Sequence, residues 1–158
     1  MSTSDNVFLA SDESVLEVAQ WLAEALGLEP VADAGLEDDE RLFRRGGRAG
    51  SSVVAVKVRP NGFAVADPEP DEVQAIDRYP IDLSVWIVGR KDEAEQLAET
   101  TAIFDNLVAA RPDVPALLVH NLDTLVSAHL PGAGTRTFDS PITPDVEDID
   151  TWRSWVRT

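Results

Sequence analysis

Apolar and polar positions along this chain switch repeatedly between a period of about two and a period of about 3.6 residues, and the switches mark its elements. NVFLA, residues 6–10, is a short apolar run that predicts a first strand. Ser11 then stands as a helix N-cap with Asp12 and Glu13 in the first turn, where the helix dipole favours anions. Val15, Leu16, Val18, Ala19, Leu22, Ala25 and Leu26 follow at helical spacing, and Gly27 supplies the stop. Leu42 to Arg45 and Ser52 to Arg59 predict two strands joined by GGRAG. In the second, Val54, Val56 and Val58 alternate with Val53, Ala55 and Lys57, as expected of a sheet with one face better buried than the other. Asn61-Gly62 is a strong turn dipeptide, so Phe63 to Ala66 is expected to return as a further strand, and ADPEPDE reads as a loop or a short helix start.

The middle of the chain is the most regular. YPIDLSVWIVG, residues 79–89, sets Ile81, Leu83, Val85 and Ile87 on one strand face and Asp82, Ser84 and Trp86 on the other. Residues 91–110 carry Ala94, Leu97, Ala98, Thr101, Phe104, Leu107 and Val108 as one helical stripe, ended by Arg111-Pro112. PALLVH predicts a buried strand, NLD a turn and TLVSAHL a return strand. PGAGTRTFDSPITP, rich in Gly, Pro and Thr, predicts a loop over 131–143. Thr143 then caps a last helix with Pro144 at its first position and Val146, Ile149, Trp152 and Val156 as its apolar stripe, Trp155 lying at the edge. No repeat or linker divides residues 1–158, so the expectation is one α+β domain: a mainly antiparallel sheet with about three helices packed on it.

Composition narrows the function classes. At 158 residues with 44 % hydrophobic content and four Trp, the chain is long and apolar enough to bury one core in spite of a net charge of -16. No apolar run approaches the ~20 residues of a membrane span, and MSTSDNVFLASDES has neither the basic region nor the apolar stretch of a signal peptide, so a cytoplasmic protein without a membrane partner is expected. The absence of Cys excludes disulfides, thiolate metal sites and a Cys nucleophile, and two His make a His-rich zinc site improbable. Charge is blocked along the chain: residues 1–40 hold eleven acids and no base, residues 41–59 six bases and no acid, and residues 60–158 eighteen acids and seven bases. A uniform bias of composition does not produce such segregation. An acidic exterior disfavours nucleic acid, whose binding rests on neutralising phosphates, and favours a basic protein partner.

Motifs of catalysis are missing. GGRAGSS lacks the Lys of a phosphate-binding loop and runs into a β-branched strand rather than a helix, so it reads as a hairpin turn. Asp67 to Glu72, DPEPDE, lacks the glycine and closing Glu of a calcium loop. Neither His120 nor His129 has a serine in a nucleophile elbow nearby, and each is expected to be a structural or surface residue. Trp86 either covers the sheet under the last helix or stands exposed as an anchor for a partner. The chain is therefore expected to be a non-enzymatic binding protein without metal or cofactor.

The segment YPIDLSVWIVGRKDEAEQLAETTAIFDNLVAARPDVPALLVHNLDTLVSAHLPG resembles the central part of small acidic immunity proteins that actinobacteria encode against secreted polymorphic toxins, and FLASDESVLEVAQWLAEALGLEP is similar to their opening. The likeness lies in the strand that opens with Tyr79-Pro80, the helix containing Ile103-Phe104-Asp105, and the LLV strand followed by Asn121 and Asp123. The Arg-rich hairpin is not part of that pattern. The resemblance implies an antitoxin that occludes the active site of a cognate toxin. An acidic secretion chaperone or adaptor is the alternative, and an enzyme without a recognised motif a further one.

Blocks of acid on loops steer and orient a basic partner. Glu37, Asp38, Asp39 and Glu40, with Asp67, Glu69, Asp71 and Glu72, are accordingly the expected binding rim, around apolar residues that lie between the two segments. Arg41, Arg44, Arg45 and Arg48 either meet acids of the same domain, the helix of residues 12–26 being the expected source, or remain free for the partner.

Overall fold

The structure is a computed structural model that describes residues 4–48, 52–90 and 92–158. The strands are β1 (Asp5–Leu9), β2 (Glu29–Val31), β3 (Arg41–Gly46), β4 (Val53–Pro60), β5 (Ile81–Ile87), β6 (Ala116–His120), β7 (Thr124–Leu130) and β8 (Gly134–Ile142). They form one antiparallel sheet in the order β2-β3-β4-β5-β1-β6-β7-β8. Helices α1 (Val15–Leu26) and α2 (Glu93–Ala110) lie on one face, and α3 (Ile149–Trp152), flanked by single 3₁₀ turns, lies on the other. This is the expected α+β fold, with helices on both faces of the sheet.

β1 sits at the centre, between β5 and β6, which explains why all five of its residues are buried. Its alternation feeds two cores. Val7 and Leu9 join Leu83, Val85, Val54, Val56 and Leu118 beneath α1 and α2. Phe8 and Ala10 join Ile76, Tyr79, Leu117 and Trp152 beneath the 61–80 segment and the C-terminal segment. Trp86, half-buried on the face of Asp82 and Ser84, lies outside the cluster formed by Trp152 and Val156, so it is not covered by the terminal helix. No helix among the described residues is long and apolar enough to cross a membrane.

Five local expectations are corrected. The cap of α1 is Ser14, whose hydroxyl accepts the Glu17 N–H at 3.1 Å, while Ser11 makes a shorter turn with Glu13 N–H at 3.1 Å. Ser14 and Glu17 carry the capping-box spacing, so the sequence held the stronger signal three residues on. Phe63 to Ala66 form no strand, and β2 is a strand where none was expected. The 131–143 segment is not a loop. Leu130–Ala133 close a tight turn by a 3.0 Å bond, with Pro131 second and Gly132 third at φ 86°, which are the preferences of a type II turn, and the chain returns as β8. The last helix is broken into short pieces, the four-residue α3 between two 3₁₀ turns.

The helix α2 carries the most informative difference. Its buried residues are Gln96, Glu99, Thr100, Ile103, Phe104 and Leu107, whereas Ala94 and Ala98 of the expected stripe are exposed. The periodicity is intact but its first half is polar, because that half packs over Asp5, Arg45 and Ser52 rather than over aliphatic side chains.

Candidate partner-binding surface

Arg41 pairs with Val58 and Pro60 with Ile81, so the 32–40 connection and the 61–80 segment leave the sheet at the same end. Both acidic stretches expected to form a rim thus belong to segments rooted at one end of the sheet, the second running on across the face that holds Ala75, Ile76 and Trp152. Glu37, Asp38, Asp39, Asp67, Glu69, Asp71 and Glu72 are exposed, and none of them has a cation within ion-pair distance among the described residues. The turn that presents Glu69, Asp71 and Glu72 is closed by Glu72 N–H donating to Glu69 O at 2.8 Å. Glu40 differs. It is half-buried, accepts the Glu37 N–H at 3.0 Å and lies 3.7 Å from Lys57 Nζ. The bond from Glu37, helped by the charges of Lys57 and Arg59, holds its carboxyl below the usual value.

The 61–80 segment also carries two exposed apolar residues, Phe63 and Val65, at 38 % and 41 % exposure. Their backbone is fixed by a small hydrogen-bonded frame. Asn61 Oδ1 accepts the Phe63 N–H at 2.9 Å, and Asn61 Nδ2 donates to Tyr79 O at 2.7 Å. Asp77 accepts from Val65 N–H at 3.1 Å and from Gln74 N–H at 2.8 Å. The Asn-Gly signal thus marks a stapled turn rather than a hairpin. The Phe63 ring meets the edge of buried Phe8 at 6.3 Å between centroids, and the Arg59 guanidinium lies 5.8 Å from its centroid. Arg59 is itself positioned by the wholly buried Asp82, at 3.0 Å, and Asp82 also accepts from Asn6 Nδ2 at 2.7 Å. Burial raises the Asp82 carboxyl above its ordinary value, against the pull of Asn6 and Arg59. A cleft of about 500 Å³ adjoins this segment, lined by Ala64, Ala66, Asp77, Arg78, Pro80 and Arg157 among others.

The basic stretch is answered mainly within the fold. Arg45 lies 3.4 Å from Glu99, which is almost wholly buried, and Glu99 also accepts the Arg48 backbone N–H at 2.9 Å. Arg44 makes an exposed pair with Glu29 at 3.6 Å, and Arg41 caps the carbonyls of Asp38 and Glu40 at 3.1 and 2.7 Å. The acids come from α2 and β2, not from the helix of residues 12–26. The hairpin reading is correct in its strand pairing and in Gly47 N–H donating to Ser52 O at 2.8 Å; residues 49–51 lie outside the described residues.

A second polar cluster was not legible in advance. His120 Nδ1 lies 2.6 Å from Asp5 Oδ1, Thr100 Oγ1 donates to the other Asp5 oxygen at 3.4 Å, and Asn121 Nδ2 lies 3.2 Å from both His120 Nε2 and Glu93 Oε1. Taken together, these contacts engage both ring nitrogens of His120 within the fold. Burial raises the Asp5 carboxyl, with His120 pulling it down. His129 is likewise satisfied, by Thr135 Oγ1 and Pro112 O, each at 2.8 Å. Both histidines thus serve the hairpins that hold them. The signal for this cluster was the polar run Gln96, Glu99, Thr100 in phase with Ile103, Phe104 and Leu107.

Comparison with family models, with curated proteins and with solved structures found no match to this chain.

Proposed function

We propose that this chain is a stoichiometric protein inhibitor, an immunity protein that occludes the active site of a basic cognate toxin with the end of the sheet bearing Phe63. What supports the reading is one arrangement: seven exposed carboxylates without cationic partners among the described residues, on two segments that leave the sheet at the same end, the second of which also carries exposed Phe63 and Val65. An interface of this kind divides its labour. An apolar anchor in a preorganised frame supplies affinity, and surrounding charge supplies encounter rate and orientation.

The test uses the product of the adjacent open reading frame as the candidate toxin. Equimolar inhibitor is expected to abolish its activity in vitro, and reversing the seven exposed carboxylates to Lys is expected to slow association at least tenfold and flatten its dependence on salt. Phe63→Ala is expected to act on dissociation instead, by roughly 2 kcal/mol or more of affinity. Binding without loss of toxin activity favours the chaperone or adaptor, and unchanged rates in the reversed variant reject the acidic rim.

A further inference from the structure

The sheet is open, and its two edges are built differently. β2 is three residues long, has Pro30 at its middle, and has Glu29 within 3.6 Å of Arg44 on β3; short length, proline and charge are the features that keep an edge from pairing. β8 is nine residues long and mostly exposed, and its own acid and proline, Asp139 and Pro141, lie beyond the Gly134–Phe138 stretch. It pairs with β7 through Gly134 to Thr137, and its outer side faces no strand of the sheet. In an antiparallel edge strand alternate residues point both N–H and C=O outward, so this stretch is a pairing template. It also stands apart in charge: in a chain of net charge -16, residues 124–138 contain no acid.

We infer that β8 pairs antiparallel with β8 of a second copy of this chain, about a two-fold axis at Thr137. Residues opposite one another across such an axis must share a face. Arg136 and Phe138 do, since the Arg136 guanidinium lies 5.9 Å from the Phe138 ring centroid and 5.8 Å from that of Trp155. An axis at Thr137 sets each Arg136 opposite the other copy's Phe138, a favourable cation–aromatic pair, and Thr137 opposite Thr137. An axis at Arg136 sets two guanidinium groups face to face and is rejected. The occupant is a second copy because the Gly134–Phe138 stretch carries no acid to repel its own kind, and an axis at Thr137 sets Asp139 opposite Thr135 rather than opposite another acid. The strand order helps as well: β4, β5, β1, β6 and β7 separate β8 from β3, so the Glu37–Glu40 stretch that precedes β3 lies away from the pairing edge. Pairing through one short strand buries little area and gives a weak dimer. The residual repulsion of two acidic bodies is screened over ~8 Å at physiological ionic strength, so salt strengthens the pair.

The absence of Cys makes the register testable. Under mild oxidation Thr137→Cys is expected to form a covalent dimer at least tenfold faster than Glu29→Cys on the opposite edge, and faster still at higher salt. In sedimentation, the unmodified chain is expected to pass from monomer to dimer as concentration rises towards about 1 mM. Arg136→Asp is expected to weaken that dimer tenfold or more without moving the unfolding midpoint. Should Thr137→Cys fold poorly through loss of its 3.1 Å contact with Ser127, the sedimentation of Arg136→Asp decides. A chain that stays monomeric across this range at low and high salt overturns the inference, as does equal cross-linking at the two edges. Neither result bears on toxin inhibition, which a monomer serves equally.

Discussion

Arg59 Nε donates to Asp82 Oδ2 at 3.0 Å, joining a partly exposed guanidinium to a carboxylate with no solvent exposure. The pair also ties the core to the surface, because the same guanidinium lies over Phe63. Arg59→Met is expected to destabilise the fold by about 1–3 kcal/mol, since it leaves the buried carboxylate with only Asn6 and Ser84. Denaturant unfolding measures the loss. An unchanged midpoint would show that Asp82 is neutral in the native protein and needs no cation.

Asp82 gives a pH signature. Burial raises its folded-state value above the ordinary 3.8, so its contribution to stability is fully present below the unfolded value and is lost as pH rises through the raised one. Asp82→Asn removes the titration. The stability of the native chain relative to this variant is therefore expected to fall as pH increases from 4 towards neutrality, and unfolding midpoints of the two across that range check it.

Tyr79, the single tyrosine, is fully buried and its hydroxyl oxygen accepts the Arg157 N–H at 3.0 Å. Burial pushes its ionisation up to about 12 from 10. Here too the folded value is raised, so the stability it contributes is present below pH 10 and is lost as pH rises through 12. Phenolate absorbance is expected to appear only with alkaline unfolding. Tyr79→Phe is expected to abolish that signal and to cost about 1 kcal/mol at neutral pH through the lost bond.

Glu99 fastens the Arg-rich hairpin to α2 through Arg45 and the Arg48 amide. Glu99→Ala is expected to destabilise by about 2–4 kcal/mol, and Glu99→Gln by about half as much because it can still accept from the amide. Hydrogen exchange at Arg48 distinguishes a local loosening of the hairpin from global loss.

Leu122 sits at φ 61° in the turn between β6 and β7, beside Asn121 at φ 52°, and is 41 % exposed. They are the two central residues of a β-turn closed by Asp123 N–H on His120 O at 3.1 Å, and two left-handed residues in such a turn are the setting in which Asn-Gly is preferred. Leu122→Gly is expected to stabilise by roughly 0.5–1 kcal/mol, because it relieves a left-handed leucine that buries little. A lowered melting temperature would show instead that the exposed leucine packs on something the turn needs.

Where the sequence was misread, the competing effect can be named. Gly, Pro and Thr over 131–143 gave a loop because turn residues were counted without regard to order; Pro131 and Gly132 use the type II positions, and the remainder is an edge strand whose neighbour on one side suffices to hold it. Phe63 to Ala66 were expected to pair because Asn-Gly so often turns a hairpin, but Asn61 instead bonds to the carbonyls of Tyr79 and Ile76 and closes a large loop. The rim carboxylates were legible by name, since four contiguous acids and DPEPDE are local facts. That the two segments bearing them leave the sheet at the same end was not.

By itself the sequence determined the elements of the central sheet, both long helices and the α+β class, because side-chain periodicity and caps act over a few residues and are written locally. Tertiary structure decided which polar residues went inside. Glu99, Asp82 and Asp5 are chemically ordinary acids along the chain; their burial depends on Arg45, Arg59 and His120 arriving from strands 54, 23 and 115 residues away. A buried charge is tolerable only where such a partner meets it, and that meeting is a property of the sheet order.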